Sequence, residues 1–137
     1  MSYLPGINIQ APWATQIVNG RKVIETRHYP LPKHFENRKV AIIETPGSIG
    51  EFQARIVGIV VFGPSFQYED AEAFYADSAR HLVTPETPLF SWNKKKKWGW
   101  PVLRASPYSQ ELPSNLRRGM VYTIRIPVQS SVLSIES

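Results

Sequence analysis

Residues 10 to 27 read QAPWATQIVNGRKVIETR, and this stretch predicts a helix, a tight turn and a strand in succession. Pro12 suits the first turn of a helix, because the N–H that proline lacks would have no partner there, and apolar residues follow at helical spacing from Trp13 onward. Gly20 is expected to end the helix, since glycine readily adopts the left-handed conformation. Val23 and Ile24 then favour an extended backbone.

Charged residues are unusually dense after this turn, where Lys22, Glu25 and Arg27 fall within six positions. Side chains alternate between the two faces of a strand, so Glu25 and Arg27 are predicted to be neighbours on one face. Lys22 lies at the turn and is able to reach the same place. One interpretation is a salt bridge that closes the end of a barrel. The other is a polar ligand site in which Glu25 accepts hydrogen bonds while Arg27 and Lys22 hold an anionic or carbonyl oxygen.

These residues also carry a family resemblance. The patterns PWA at 12–14 and NGxKxxExR at 19–27 resemble the motif of ASCH domains, which are small PUA-like β-barrels associated with RNA. The run WGWPVL at 98–103, with LP at 112–113 and Gly119 before a final strand, is similar to the C-terminal half of the same family. The resemblance covers nearly the whole chain, and it implies a PUA-like fold.

Length and composition limit the class of protein. A chain of 137 residues is predicted to form a single domain, 1–137, in which residues 129–137 are expected to be a frayed tail. No apolar run approaches the roughly 20 residues of a membrane span, so no membrane partner is predicted. The N-terminal residues lack the pattern of a signal peptide, and the sequence has no cysteine, which favours a cytoplasmic protein.

The remaining elements follow from periodicity and turn residues. We predict an α+β fold: a small mixed PUA-like β-barrel of five or six strands with two main helices. Residues 104 to 114 hold two prolines and little periodicity, and are expected to be irregular. The other predicted elements are strands at 7–9, 40–45, 52–62 and 120–128, with a bend or bulge at Gly58, and a second helix from about 65 to 83.

A second informative stretch is the lysine run that precedes Trp98. The net charge of +5 and the pI near 9.6 favour a polyanionic partner, particularly where the charge clusters. The run is expected to be a solvated hairpin tip or a set of phosphate contacts beside a stacking surface formed by Trp98. Trp100 is predicted to fill the barrel core. The residues predicted to contact a nucleic-acid backbone are Lys94, Lys95, Lys96, Lys97, Arg117 and Arg118.

The first functional hypothesis is a nucleic-acid binding module, with RNA as the expected partner. A base or nucleoside would enter the polar pocket, where Glu25 would pair with hydrogens on the base edge. The predicted ligand-binding residues are Trp13, Lys22, Glu25, Arg27 and Trp98. A protein-interaction adaptor remains a third class, because basic aromatic surfaces also bind acidic peptides.

The alternative hypothesis is a small hydrolase. The resemblance implies amidohydrolase activity on acylated cytidine in one branch of the family, with a threonine nucleophile three positions after the lysine, and ribonuclease activity in other relatives. This sequence has Glu25 at the threonine position, and the neighbouring Thr26 is predicted to face the other way. The catalytic residues of such an enzyme would be Lys22 and Glu25, acting on a water molecule by general-base chemistry.

Histidine provides no metal pattern. The three histidines, His28, His34 and His81, show no ligand spacing, so no metal and no cofactor are predicted. His28, next to the charged strand, is retained as a candidate proton carrier. The sequence gives no prediction of the oligomeric state.

Overall fold

A mixed β-sheet with short helices forms the structure, a computed structural model that describes residues 2–46, 54–87, 91–92, 95–112 and 122–129. The starts of the predicted strands at 52–62 and 120–128, together with Lys94, Arg117, Arg118 and most of the predicted tail, lie outside these ranges. The strands are β1 (Ser2–Gln10), β2 (Ile24–Arg27), β3 (Lys39–Thr45), β4 (Arg55–Phe62), β5 (Phe66–Gln67), β6 (Trp98–Glu111) and β7 (Tyr122–Val128). The helices are α1 (Trp13–Val18), α2 (Ala71–Ala76) and α3 (Ser78–His81), and Lys33–Phe35 forms one turn of 3₁₀ helix.

Six strands follow the order β2-β6-β4-β3-β1-β7, and the short β5 pairs with the start of β6. β1 and β3 are parallel, whereas the other neighbouring strands are antiparallel. The sheet is strongly curled. This is shown by a hydrogen bond of 2.9 Å from Arg27 on β2 to the backbone oxygen of Asn8 on β1, because three strands lie between β2 and β1 in the sheet. The described strands therefore form a half-barrel, and the predicted α+β PUA-like class is confirmed.

Both faces of the sheet are buried in its centre. Val40 and Ile42 of β3 pack in one apolar cluster with Trp100 and with α1, whereas Ala41 and Ile43 pack in a second cluster on the other face. This pattern explains why the segment from 40 to 45 reads as a continuous apolar run rather than an alternating one. A third cluster, formed by Tyr68, Phe74 and Val83, lies under α2 and α3.

The local predictions for the first stretch are confirmed. Gly20 has a φ of +87°, the left-handed conformation that the turn requires, and β2 follows at Ile24. Gly58 lies where the register of β4 shifts against β6, as expected for a bulge. A side chain at this position would meet Val18 and the Ser106 carbonyl oxygen, so the position also permits close packing of α1 and β6.

Two predictions about the second half of the chain are wrong. The segment from 104 to 114 is not irregular, because residues up to Glu111 belong to the 14-residue β6. Its prolines are tolerated where β6 changes partner or register: Pro107 lies opposite Gly58 at the register shift. The single helix expected from 65 to 83 is two short helices after β5. Asp77 separates them, and its carboxylate accepts hydrogen bonds from Tyr68 and Arg80.

None of the helices in the described part of the chain has the length and apolar character that a membrane crossing requires.

Candidate functional site

The side chains of β2 and β6 form the centre of the site. Pairing is antiparallel, with Glu25 opposite Trp100 and Arg27 opposite Trp98, so these four side chains share one face of the sheet. Trp100 is fully buried, as predicted for a residue that fills the core, whereas Trp98 is half-buried. Thr26 lies opposite Gly99 and faces the other way. The threonine therefore does not point toward the Glu25 carboxylate.

Glu25 is buried, and two cations hold its carboxylate. Nε of Arg27 donates to Oε2 at 2.9 Å, and Nζ of Lys22 lies 3.8 Å from Oε1. Arg27 also donates to the Tyr29 hydroxyl at 3.1 Å, and its guanidinium lies 5.2 Å from the centre of the Trp100 ring. Although burial disfavours the cation, the Glu25 carboxylate and Tyr29 raise the pKa of Arg27. The structure places the side chains of Lys22, Glu25 and Arg27 next to one another, as the sequence predicts.

Lys22 is among the most buried side chains of the protein, with 1% of its surface exposed. Its ammonium donates to the backbone oxygen of His81 and lies 4.8 Å from the centre of the Trp13 ring. Burial lowers the pKa of Lys22 to about 8; Glu25 opposes this effect, and the charges of Arg27 and Lys97 add to it. An amine with this pKa holds or releases a proton near neutral pH, which makes Lys22 suited to acid–base chemistry.

The lysine run divides into exposed and buried residues. Lys95 and Lys96 are exposed, as expected for a solvated tip, and the His28 ring at the end of β2 contacts the Lys96 backbone. Burial and the charge of Lys97 lower the pKa of His28. Lys97 differs from its neighbours because only 3% of its surface is exposed. The interpretation of the whole run as a solvated tip is therefore wrong for Lys97.

The carbonyl group that holds Lys22 belongs to a histidine that the sequence analysis did not place in the site. The backbone N–H of Val83 donates to Nδ1 of His81 at 3.0 Å, so Nδ1 carries no proton, and Nε2 donates to the Phe74 carbonyl at 2.6 Å. His81 is fully buried and stacks on the Phe74 ring. Burial lowers the pKa of His81, the Phe74 hydrogen bond opposes this effect, and the Lys22 charge adds to it.

This arrangement predicts that the protein loses stability in mild acid. The folded pKa of His81 lies below the unfolded value of 6.5, so the unfolded chain binds more protons as the pH falls through and below 6.5. The free energy of unfolding from urea titrations is therefore expected to fall between pH 7.5 and pH 5. His81→Gln, which has no titrating ring, should show a smaller fall although it is less stable at pH 7.5. Equal falls in the two proteins would contradict the assignment, since His28 titrates in both.

Among the described residues, no group of three or more His, Asp and Glu side chains is arranged to hold a metal ion.

Comparison with known proteins identifies the fold. Two of the similar solved structures are an ASCH protein from Zymomonas mobilis and its tyrosine-to-phenylalanine variant. The variant superposes with a TM-score of 0.65 at 16% sequence identity, and the alignment covers 93% of this chain and 91% of that chain. The unsubstituted protein gives 0.63 at 18% identity, with 93% and 88% covered. The chain has the ASCH fold.

A serine-to-alanine variant of the same Zymomonas mobilis protein gives a TM-score of 0.62 at 16% identity, with 93% of this chain and 89% of that chain covered. No family model matches the sequence, and no curated protein matches it. The similarity is therefore one of fold, and the function of the chain depends on the side chains of the site.

Proposed function

We propose that this ASCH module binds nucleic acid, with RNA as the partner, and that a base or nucleoside is recognised at Lys22, Glu25 and Arg27. The observation that supports the proposal is that Lys22, in the turn before β2, meets the buried or half-buried Glu25 and Arg27 on the face that β2 shares with β6, beside aromatic side chains. Burying charge is costly, so a fold gains little stability from such a cluster. A carboxylate held in place by two cations is a directed acceptor for base amino and imino hydrogens.

The aromatic residues around the charges supply stacking surfaces. Trp13 and Trp98 are both half-buried, and each lies beside one of the site's cations: Lys22 is over the Trp13 ring, and Arg27 is opposite Trp98. Stacking of a base on an aromatic ring contributes about 1–3 kcal/mol. The exposed Lys95 and Lys96 precede Trp98 and would contact phosphates without base preference.

The test is a binding titration with a panel of single-stranded RNA homopolymers and plain nucleosides, repeated at several salt concentrations. Glu25→Gln keeps the size of the side chain and removes its charge, and it is expected to weaken binding about 10- to 100-fold with little change in the salt dependence, because one charge-assisted hydrogen bond is lost. The matched control, Lys95→Ala with Lys96→Ala, should weaken binding less and flatten the slope of log K against log salt by about 1.4.

Two results would contradict the proposal. Equal losses in the two variants, with the same change of slope, would show that charge alone governs binding. Competition by an acidic peptide that exceeds competition by the homopolymer would favour a protein-interaction adaptor.

A second candidate function, hydrolysis, is favoured by one observation: the Lys22 amine, whose pKa burial lowers to about 8, lies 3.8 Å from the Glu25 carboxylate. A carboxylate and an amine at this distance are able to move a proton between a water or a ribose hydroxyl and a leaving group. Incubation with labelled RNA and with acetylated cytidine distinguishes the two functions. Product formed by the unsubstituted protein and not by Glu25→Gln would show that the protein is an enzyme. Binding without product would show that it is a recognition module.

A further inference from the structure

Lys97 is buried immediately before β6, although its two described neighbours in the lysine run are exposed. Its ammonium lies 5.5 Å from the centre of the Phe74 ring, in the cluster under α2 and α3. A ring face attracts a cation but does not replace the hydrogen bonds that an ammonium loses on leaving water. Lys97 therefore needs acceptors from elsewhere.

The described part of the chain supplies few hydrogen-bond acceptors to Lys97. Within the described ranges, no oxygen accepts a hydrogen bond from Lys97, and Glu25 is the carboxylate whose charge favours its ammonium. Both Glu25 oxygens already face other cations, one at Arg27 and one at Lys22. Lys97 is thus a buried cation whose charge the described part of the chain compensates only at long range.

The charges of the cluster are unequal in number. Three cations, Lys22, Arg27 and Lys97, act on the single carboxylate of Glu25 in the described part of the chain, which leaves two positive charges uncompensated. Lys22 and Lys97 also repel each other. A cluster with this excess is incomplete as a structural salt bridge, and a bound anion would complete it.

We propose that the ligand of this site carries a phosphomonoester, and that Lys97 with Lys22 holds that phosphate while Glu25 and Arg27 contact the base or sugar. A phosphomonoester has a charge of about −1.5 to −2 at neutral pH and three acceptor oxygens, which matches the uncompensated charge and the free donors of Lys97. An internal phosphodiester carries one negative charge and would leave one cation unmatched. The ligand class is a nucleoside monophosphate, either free or at the end of an RNA chain. This inference rests on the proposed function for the nucleoside part alone.

The experiment compares five ligands at constant ionic strength by isothermal titration: inorganic phosphate, a nucleoside, its 5′-monophosphate, and a short RNA with and without a 5′-phosphate. Each phosphorylated ligand is expected to bind at least tenfold more tightly than its unphosphorylated counterpart. Lys97→Met, which keeps the length of the side chain over Phe74, should remove that difference. Lys33→Met, at an exposed lysine outside the lysine run, should keep it. The ligand that binds more tightly, the nucleoside monophosphate or the 5′-phosphorylated RNA, shows whether the site takes a free nucleotide or the end of an RNA chain.

The outcomes separate this inference from the proposed function. Equal affinity for nucleoside and monophosphate, or an unchanged preference in Lys97→Met, would overturn the inference and leave the base site intact. Phosphate binding that is lost in Lys97→Met, without nucleoside binding, would support the anion site and contradict the base site. Absence of all binding would overturn both.

A measurement on the unsubstituted protein covers the case in which Lys97→Met does not fold. The ¹H–¹³C signal of the Lys97 ε-methylene is expected to shift on titration with inorganic phosphate, while that of the exposed Lys33 stays in place. An unmoved Lys97 signal would overturn the inference.

Discussion

Replacing Glu25 with alanine is expected to lower the free energy of unfolding by about 3–5 kcal/mol, because it leaves buried cations without a counter-charge. Glu25 is 5% exposed, and its carboxylate faces Arg27 at 2.9 Å and Lys22 at 3.8 Å. Removing one partner of a buried ion pair costs more than the pair contributes, since the remaining charge stays out of water. Urea denaturation at pH 7 and constant salt measures the loss.

Two controls determine whether uncompensated charge is the cause. Arg55→Ala removes an exposed ion pair with Glu44, whose atoms lie 3.4 Å apart, and is expected to cost about 0.2–1 kcal/mol. The double variant Glu25→Ala with Lys97→Met removes a cation together with the carboxylate, and should be more stable than the sum of the two single effects predicts. Strict additivity would show that Glu25 does not compensate the charge of Lys97.

The first half of the site was predictable from the sequence because its determinants are local. Gly20 determines the left-handed turn, and the alternation of a strand places Glu25 and Arg27 on one face whatever the rest of the fold does. The same alternation puts Trp98 and Trp100 on one face of β6. The resemblance to ASCH domains added the order of the elements, and the solved structures confirm the fold.

The burial of Lys97 and the place of His81 in the site could not be predicted, because both depend on contacts between distant segments. Four identical lysines carry no information about which one is buried, and the burial of Lys97 depends on Phe74 of α2. His81 enters the site through its backbone carbonyl, a group that every residue has. Its position is set by α3, which the sequence merged with α2 because helical periodicity continues across Asp77.

The long β6 was missed for a related reason. Prolines at 107 and 113 indicate an irregular segment when it is considered alone, yet a strand that changes partner or register has positions where no N–H is needed. β6 pairs with β2 in its first part and with β4 further along. This exchange of partners carries the chain from the charged face of the site to the middle of the sheet, so the site is built on a strand that also forms the core.

Trp100→Ala is accordingly expected to affect both the core and the site. The fully buried ring meets Phe62 edge-on at 5.8 Å, its Nε1 donates to the Tyr29 carbonyl at 3.2 Å, and the Arg27 guanidinium lies over it. Removing a buried tryptophan costs about 3–5 kcal/mol through lost transfer energy and the cavity that remains. Thermal and urea denaturation give the size of the effect.

The matched control is Trp98→Ala, two residues earlier on the same face of β6. Trp98 is half-buried, so its removal should cost less stability than removal of Trp100, but it should weaken ligand binding if its ring is a stacking surface. Trp100→Phe separates the two roles at position 100, because it fills most of the core and loses the hydrogen bond to Tyr29. If Trp98→Ala destabilises the protein as much as Trp100→Ala and leaves RNA affinity unchanged, Trp98 belongs to the core, and the stacking surface must be Trp13.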